Sequence, residues 1–166
     1  MKLGEIIISK NILKEDKDVF ITSGIVRAEF NFWVGLVMDG FFESLKNKKF
    51  IGTKCSKCGR VMVPPRNRCG ICFANSEDFV DLPEIGTLKN FTVTNYIITE
   101  RKIRTRKDGV IVGLVQLDGA DTAMIVPIIN VNVENIREGM KVKVVWANNL
   151  KGRPQDIQGF EPFGGV

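Results

Sequence analysis

Three observations predict a mainly β protein with one N-terminal helix, a metal-binding hairpin module and a five-stranded barrel. The first is a pair of CxxC motifs, Cys55-Ser-Lys-Cys58 and Cys69-Gly-Ile-Cys72, with ten residues between them. The second is an apolar stripe at helical spacing ahead of them, formed by Phe30, Trp33, Val37, Phe41 and Leu45. The third is a series of β-branched, alternating segments from residue 79 to 161, punctuated by turn residues. These features divide the chain into an N-terminal segment with helix (1-50), a zinc ribbon (51-76) and an OB-fold domain (77-166).

Residues 1–21 carry a short strand-like run, Ile6-Ile7-Ile8, among mixed charges. Ser23 suits the N-cap of a helix running to about Asn47. The stripe is the core face of that helix, but its opposite side carries Ile25, Phe32, Leu36 and Phe42. One surface does not easily bury both sides, so Phe32, Leu36 and Phe42 are candidate partner-interface residues. Such a helix can pair with itself as readily as with another protein.

The four cysteines are the only ones in the chain. A CxxC turn aims two thiolates at one ion while its own amides hydrogen-bond the sulfurs. Two such turns therefore close a four-coordinate shell from Cys55, Cys58, Cys69 and Cys72. The expected ion is Zn2+, with iron as the alternative that spacing does not separate. Disulfides are disfavoured: residues 1–21 contain Glu5, Lys10, Lys14, Glu15 and Asp16 where a secretory leader needs an apolar core, which also points to the cytoplasm. A closed shell has no position for substrate, so the metal is expected to build structure. Gly59 follows the first pair and Phe73 the second, which predicts a less regular second turn.

Composition narrows the function. The chain has 166 residues, 44% hydrophobic and 26% charged, as in an ordinary globular protein. Its longest nearly unbroken apolar run, Phe32 to Met38, is far short of the roughly 20 residues a membrane helix needs. There is no histidine, and every cysteine is committed to the metal, so neither the commonest general base nor a nucleophilic pair is left. A non-catalytic role is expected. Net charge is +5, and Lys46, Lys48, Lys49, Lys54, Lys57, Arg60, Arg66 and Arg68 form a run with no acidic residue. A second cluster holds Arg101, Lys102, Arg104, Arg106 and Lys107. Part of the first run offsets the charge of four thiolates, and the second suits a solvated loop; together they suggest an anionic ligand.

The candidate barrel strands are Thr87 to Thr99, Val110 to Leu117, Thr122 to Pro127, Met140 to Ala147 and Ile157 to Phe160. Asp118-Gly119 marks the turn between the second and third, and Asp108-Gly109 marks the start of the second. Five strands with a polar connection, Asn130 to Gly139, before the fourth match an OB-type barrel. Alternation leaves Lys141 and Lys143 outward, and Pro154 with the Gly-Gly tail closes the chain loosely.

The stretch T-K-C-S-K-C-G-R-V-M-V-P-P-R, the second CxxC, and a barrel containing I-R-E-G-M-K-V-K-V follow an apolar helix ending F-F-E-S-L-K-N-K-K-F. Over residues 30 to 162 this order resembles the zinc-ribbon plus OB-fold proteins of the DUF35 family, the segment Cys55 to Arg66 being its most specific part. The resemblance implies a rubredoxin-like zinc ribbon against an OB-fold, without catalytic residues. It also implies an acyl-CoA-binding or scaffolding subunit of a thiolase-type enzyme, similar to the archaeal component that bridges acetoacetyl-CoA thiolase and hydroxymethylglutaryl-CoA (HMG-CoA) synthase. Bacterial relatives accompany aldolases or hydratases acting on CoA esters. A coenzyme A ester needs cations beside an apolar groove, and Arg66, Arg68, Arg104 and Arg106 are the candidates for its phosphates.

The rival reading is a nucleic-acid binder, since zinc ribbons and OB-folds both serve nucleic acids and the isoelectric point is about 9.1. An OB-fold that grips single strands stacks bases on aromatics of its second and third strands, and no Phe, Tyr or Trp lies between Tyr96 and Trp146.

Overall fold

The computed structural model describes residues 33–76, 78–99 and 102–164, with only the backbone described at 96–99 and 102–108. The Ile6–Ile8 run, the Ser23 cap, Ile25, Phe30 and Phe32 lie outside the described residues. Residues 34–166 form one compact unit and residues 1–33 another. Of the latter only Trp33 is described, and it is exposed.

The second unit begins with helix α1, Leu36–Lys46, whose Val37, Phe41 and Leu45 are buried as their spacing requires. The helix ends as expected, capped at Asn47, but a continuous helix from Ser23 is corrected. Trp33–Gly35 is not helical, and Gly35 has φ 82, a backbone conformation no helix interior accepts. On the opposite side Leu36 is exposed, whereas Phe42 packs partly against the core.

Three antiparallel strands follow: β1 (Phe50–Lys54), β2 (Val61–Met62) and β3 (Asp78–Leu82), in the order β2-β1-β3. The remaining strands are β4 (Ile85–Thr99), β5 (Lys102–Leu117), β6 (Met124–Ile128), β7 (Lys141–Trp146) and β8 (Ile157–Pro162). They close a barrel in the order β4-β5-β6-β8-β7, the OB-type arrangement expected. Alternation works as the pattern predicts: β6 buries Met124, Val126 and Ile128 and exposes the residues between. Lys141 is outward and pairs with Asp118 at 2.7 Å.

Two details correct the sequence reading. Asp108-Gly109 does not begin a strand, because β5 starts at Lys102 and pairs with β4 through Thr99↔Lys102, Ile97↔Arg104 and Tyr96↔Thr105. Gly109 instead sits at φ 67 near the register shift between Thr94 and Tyr96, where an added Cβ would lie 2.8 Å from Val93. Lys102, Arg104, Arg106 and Lys107 thus lie on a strand and not in a loop, Arg101 being outside the described residues. Nor is the Pro154 segment loose: Pro154–Asp156 forms a 3₁₀ turn, and the buried Asp156 carboxylate accepts the N–H groups of Lys151, Gly152 and Arg153 at 2.7–3.2 Å. This turn sets Gly152 against α1, where a Cβ would meet the Phe42 carbonyl at 3.0 Å.

One apolar core runs through helix, ribbon and barrel. Phe41, Leu45, Phe50, Val63 and Leu82 join Leu88, Val115, Leu117, Val126, Val142 and Phe160. At its centre Phe50 is fully buried and stacks on Trp146 (5.0 Å) and Phe160 (6.2 Å). The Trp146 indole N–H donates to Glu84 at 2.9 Å.

Phe50→Ala is expected to cost about 3–5 kcal/mol, read by urea unfolding, because it opens a void at the ribbon–barrel junction. A second expectation concerns acid. Burial alone would push the Asp156 carboxyl up, but the N–H groups of Lys151, Arg153 and Gly152 outweigh it and hold it below its usual range. Its contribution is therefore full above the unfolded value near about 4 and is lost as pH falls through the lower folded value. Asp156→Asn should cost about 1–3 kcal/mol at neutral pH, and the gap from wild type should narrow in acid.

Candidate metal centre

Cys55 lies just beyond β1 and Cys58 three residues on, in a turn closed by Cys55 N–H to Arg60 O (2.8 Å) and Gly59 N–H to Cys55 O (3.0 Å). The second turn repeats this arrangement. Cys69 N–H donates to Ala74 O (3.0 Å) and Phe73 N–H to Cys69 O (3.0 Å). Gly59 (φ 72) and Phe73 (φ 55) hold the same left-handed position, so the expectation of a less regular second turn is corrected. The hydrogen-bonded loop dictates the backbone, and Phe73 adopts it at a cost of roughly 1 kcal/mol relative to glycine. The Arg68 guanidinium reinforces the turn by donating to Phe73 O at 3.3 Å.

These turns bring the four sulfurs within 4.8 Å of one another, with Cys55 Sγ 3.4 Å from Cys72 Sγ and Cys58 Sγ 3.6 Å from Cys69 Sγ. Cys55 and Cys69 are buried, Cys72 is half-buried and Cys58 is exposed. The N–H groups of Lys57 and Cys58 approach Cys55 Sγ at 3.4 and 3.5 Å. The Cys58 N–H contributes most to pulling the Cys55 thiol down to about 6. Cys69 is lowered in the same way by the N–H groups of Cys72 and Ile71. At Cys58 the Arg60 N–H pulls down, but the neighbouring thiols, Cys55 foremost, and burial together push it up to about 11. Preformed amide donors and four convergent soft ligands fit a tetrahedral thiolate metal site, and no fourth position is left for a substrate.

Two paired contacts join the ribbon to the barrel. Val61 N–H donates to the Asp121 carboxylate (2.8 Å) and Val61 O accepts the Asp121 N–H (2.8 Å). Val63 N–H and O both bond the Thr122 hydroxyl at 2.8 Å. On the other side, buried Thr53 bonds both N–H and O of Arg66 at 2.9 Å. These bonds locate the Pro64-Pro65-Arg66 segment, and sequence periodicity has no means of foreseeing them.

Of the candidate ligand residues, Arg66 ends that segment and Arg68 follows it, both with exposed side chains, Arg68 being tied to the second turn. Arg104 and Arg106 lie on β5 opposite β4, and their side chains are outside the described ones. An apolar groove of about 570 Å³ runs beside α1, lined by Met38, Phe42, Pro64, Met124, Ile125 and Ile157 among others. Among the described side chains it holds Phe42, but not Leu36, Arg66 or Arg68.

Cys55→Ser or Cys69→Ser should lower metal content by elemental analysis and accelerate amide exchange at Val61 and Val63, while the barrel stays folded. Acidification should release metal from wild type, because the ligand thiolates must take up protons as pH falls.

Comparisons with known proteins agree with this geometry. Residues 42–76 match the model of the ChsH2 rubredoxin-like zinc ribbon domain. No curated protein matches. The crystal structure of a protein of unknown function from the DUF35 family of Sulfolobus solfataricus aligns at 27% identity and TM-score 0.55, covering 67% of this chain and 78% of that one. The Ltp2-ChsH2(DUF35) aldolase aligns at 22% identity and TM-score 0.54, covering 74% and 91%, a likeness of fold. Residues 42–76, which hold the four clustered thiolates, are thus similar to the ChsH2-type rubredoxin-like zinc ribbon, in a chain whose fold is similar to that of two solved DUF35 proteins.

Proposed function

We propose that this protein is a non-catalytic, zinc-stabilised accessory subunit of an acyl-CoA enzyme complex, with a thiolase- or aldolase-type enzyme as its partner. The observation that carries the reading is the closed thiolate cluster. All four cysteines converge on one point, which leaves no open metal position, and the chain has no histidine and no uncommitted cysteine to form the commonest nucleophile–base pairs. Such a module organises surfaces. The likeness to a protein whose structure is that of an aldolase with its DUF35 component supports an enzyme partner, and the sequence resemblance supports a CoA ester as the shared ligand.

In this reading the ribbon presents exposed cations, among them Arg66, beside an apolar groove, and the basic strand start of β5 adds Arg104 and Arg106. Phosphates of a CoA ester would be held by such cations and its extended arm by apolar surface. Bridging a thiolase to HMG-CoA synthase is the most specific form of the proposal. It needs two enzyme-facing surfaces on one small chain.

Affinity purification of the tagged chain from its native cell should recover an acyl-CoA enzyme. Recovery of nucleic acid with no such enzyme would sink the proposal. On the purified complex, calorimetry with acetyl-CoA should show saturable binding that weakens by about tenfold, roughly 1.4 kcal/mol, on charge reversal at Arg104 and Arg106; unchanged affinity would remove both residues from the site.

A further inference from the structure

The two cysteine turns share a backbone plan, which makes each a control for the other. In the first, Lys57 and Gly59 hold the positions that Ile71 and Phe73 hold in the second. Gly59 meets the left-handed requirement with no side chain, so the metal site needs none there. The second turn nevertheless places a phenylalanine in that conformation and leaves it 72% exposed, with Ile71 66% exposed beside it. Neither side chain is among the core residues or those packed against them. Fold and metal therefore explain the backbone and leave the side chains unexplained.

The tip is also held by hydrogen bonds, has a guanidinium beside it, and belongs to a ribbon that exposes further cations. Hydrogen bonds from Phe73 N–H to Cys69 O, from Cys69 N–H to Ala74 O and from Arg68 to Phe73 O fix the turn before any partner arrives, which reduces the ordering cost of docking. Lys57, Arg60 and Arg66 are exposed, and no ion pair is found for them among the described residues. Lys57 and Arg60 belong to the first turn, whose sulfurs lie within 4.8 Å of those of the second.

We propose that the tip formed by Ile71 and Phe73, with the Arg68 guanidinium beside it and Lys57, Arg60 and Arg66 exposed on the same ribbon, docks into an apolar pocket edged by carboxylates on a partner protein. Charge complementarity sets the rim, and the two apolar side chains form the anchor. A protein is favoured over a lipid surface because two side chains bury too little apolar area for stable membrane attachment. The inference rests on the accessory-subunit reading and specifies which surface of this chain meets the partner.

A photoreactive benzophenone side chain at position 73 of the full chain, irradiated in the native cell, tests it. The expected result is one protein adduct, identified by mass spectrometry, that falls about tenfold when Ile71→Ser or the pair Lys57→Glu and Arg60→Glu is added. Purified Phe73→Gly should keep its metal and melt no lower than wild type, so lost docking is distinguishable from misfolding. No adduct, or an adduct indifferent to both changes, overturns the docking tip. Co-sedimentation with anionic phospholipid vesicles, lost in Phe73→Gly and unaccompanied by a protein adduct, overturns it in favour of a membrane. A charge-sensitive adduct to a protein that is not an acyl-CoA enzyme upholds the tip and overturns the accessory-subunit reading.

Discussion

The seam between Val61–Val63 and Asp121–Thr122 is the constraint on which the rest of the structure depends. Two residues of ribbon backbone, Val61 and Val63, make four hydrogen bonds at 2.8 Å to the turn between β5 and β6. Three of the four use a side chain of the turn, the Asp121 carboxylate or the Thr122 hydroxyl. Because β2 has just two residues, the ribbon has little sheet of its own to resist bending there. The seam supplies the missing order, and the thiolate turns hold β2 from its other end.

From this seam the positions of the functional elements follow. Val63 and Pro65 are both fully buried, so the chain emerges only after Pro65, where the Thr53 hydroxyl holds it at Arg66. The last two cations of the basic run, Arg66 and Arg68, thus follow directly on the core and are exposed. Phe50, between Trp146 and Phe160, ties the same sheet to the barrel from the side of β1. Stiffness at both ends lets a small metal module present side chains with little loss of entropy on association.

Much of this was legible beforehand, for physical reasons that differ by element. Metal ligation imposes spacing directly, so the paired CxxC motifs named all four sulfurs. Barrel strands imprint an alternation of period two, which located β4 to β8 to within a few residues apart from the start of β5. Helical spacing identified Val37, Phe41 and Leu45 as a core face. It did not locate the helix start, because a break at Gly35 leaves the apolar stripe undisturbed. The second basic cluster read as a loop because Asp108-Gly109 has turn chemistry; long-range pairing with β4 overrode it and used Gly109 within the hairpin.

By itself the sequence determined the composition of the molecule: a four-thiolate site, a helix with one buried stripe, a barrel of five strands, and a chain without histidine. These are local, since each is written in residue types at fixed intervals. Only the tertiary structure decided how they combine. It recruited Asp78–Leu82 into the ribbon sheet, set Asp121 and Thr122 against β2, buried Asp156 beneath the amides that hold Gly152 to the helix, and left Ile71 and Phe73 outside every core. Such pairings join residues far apart in the chain or depend on what is left over when packing is complete. No interval along the sequence records them.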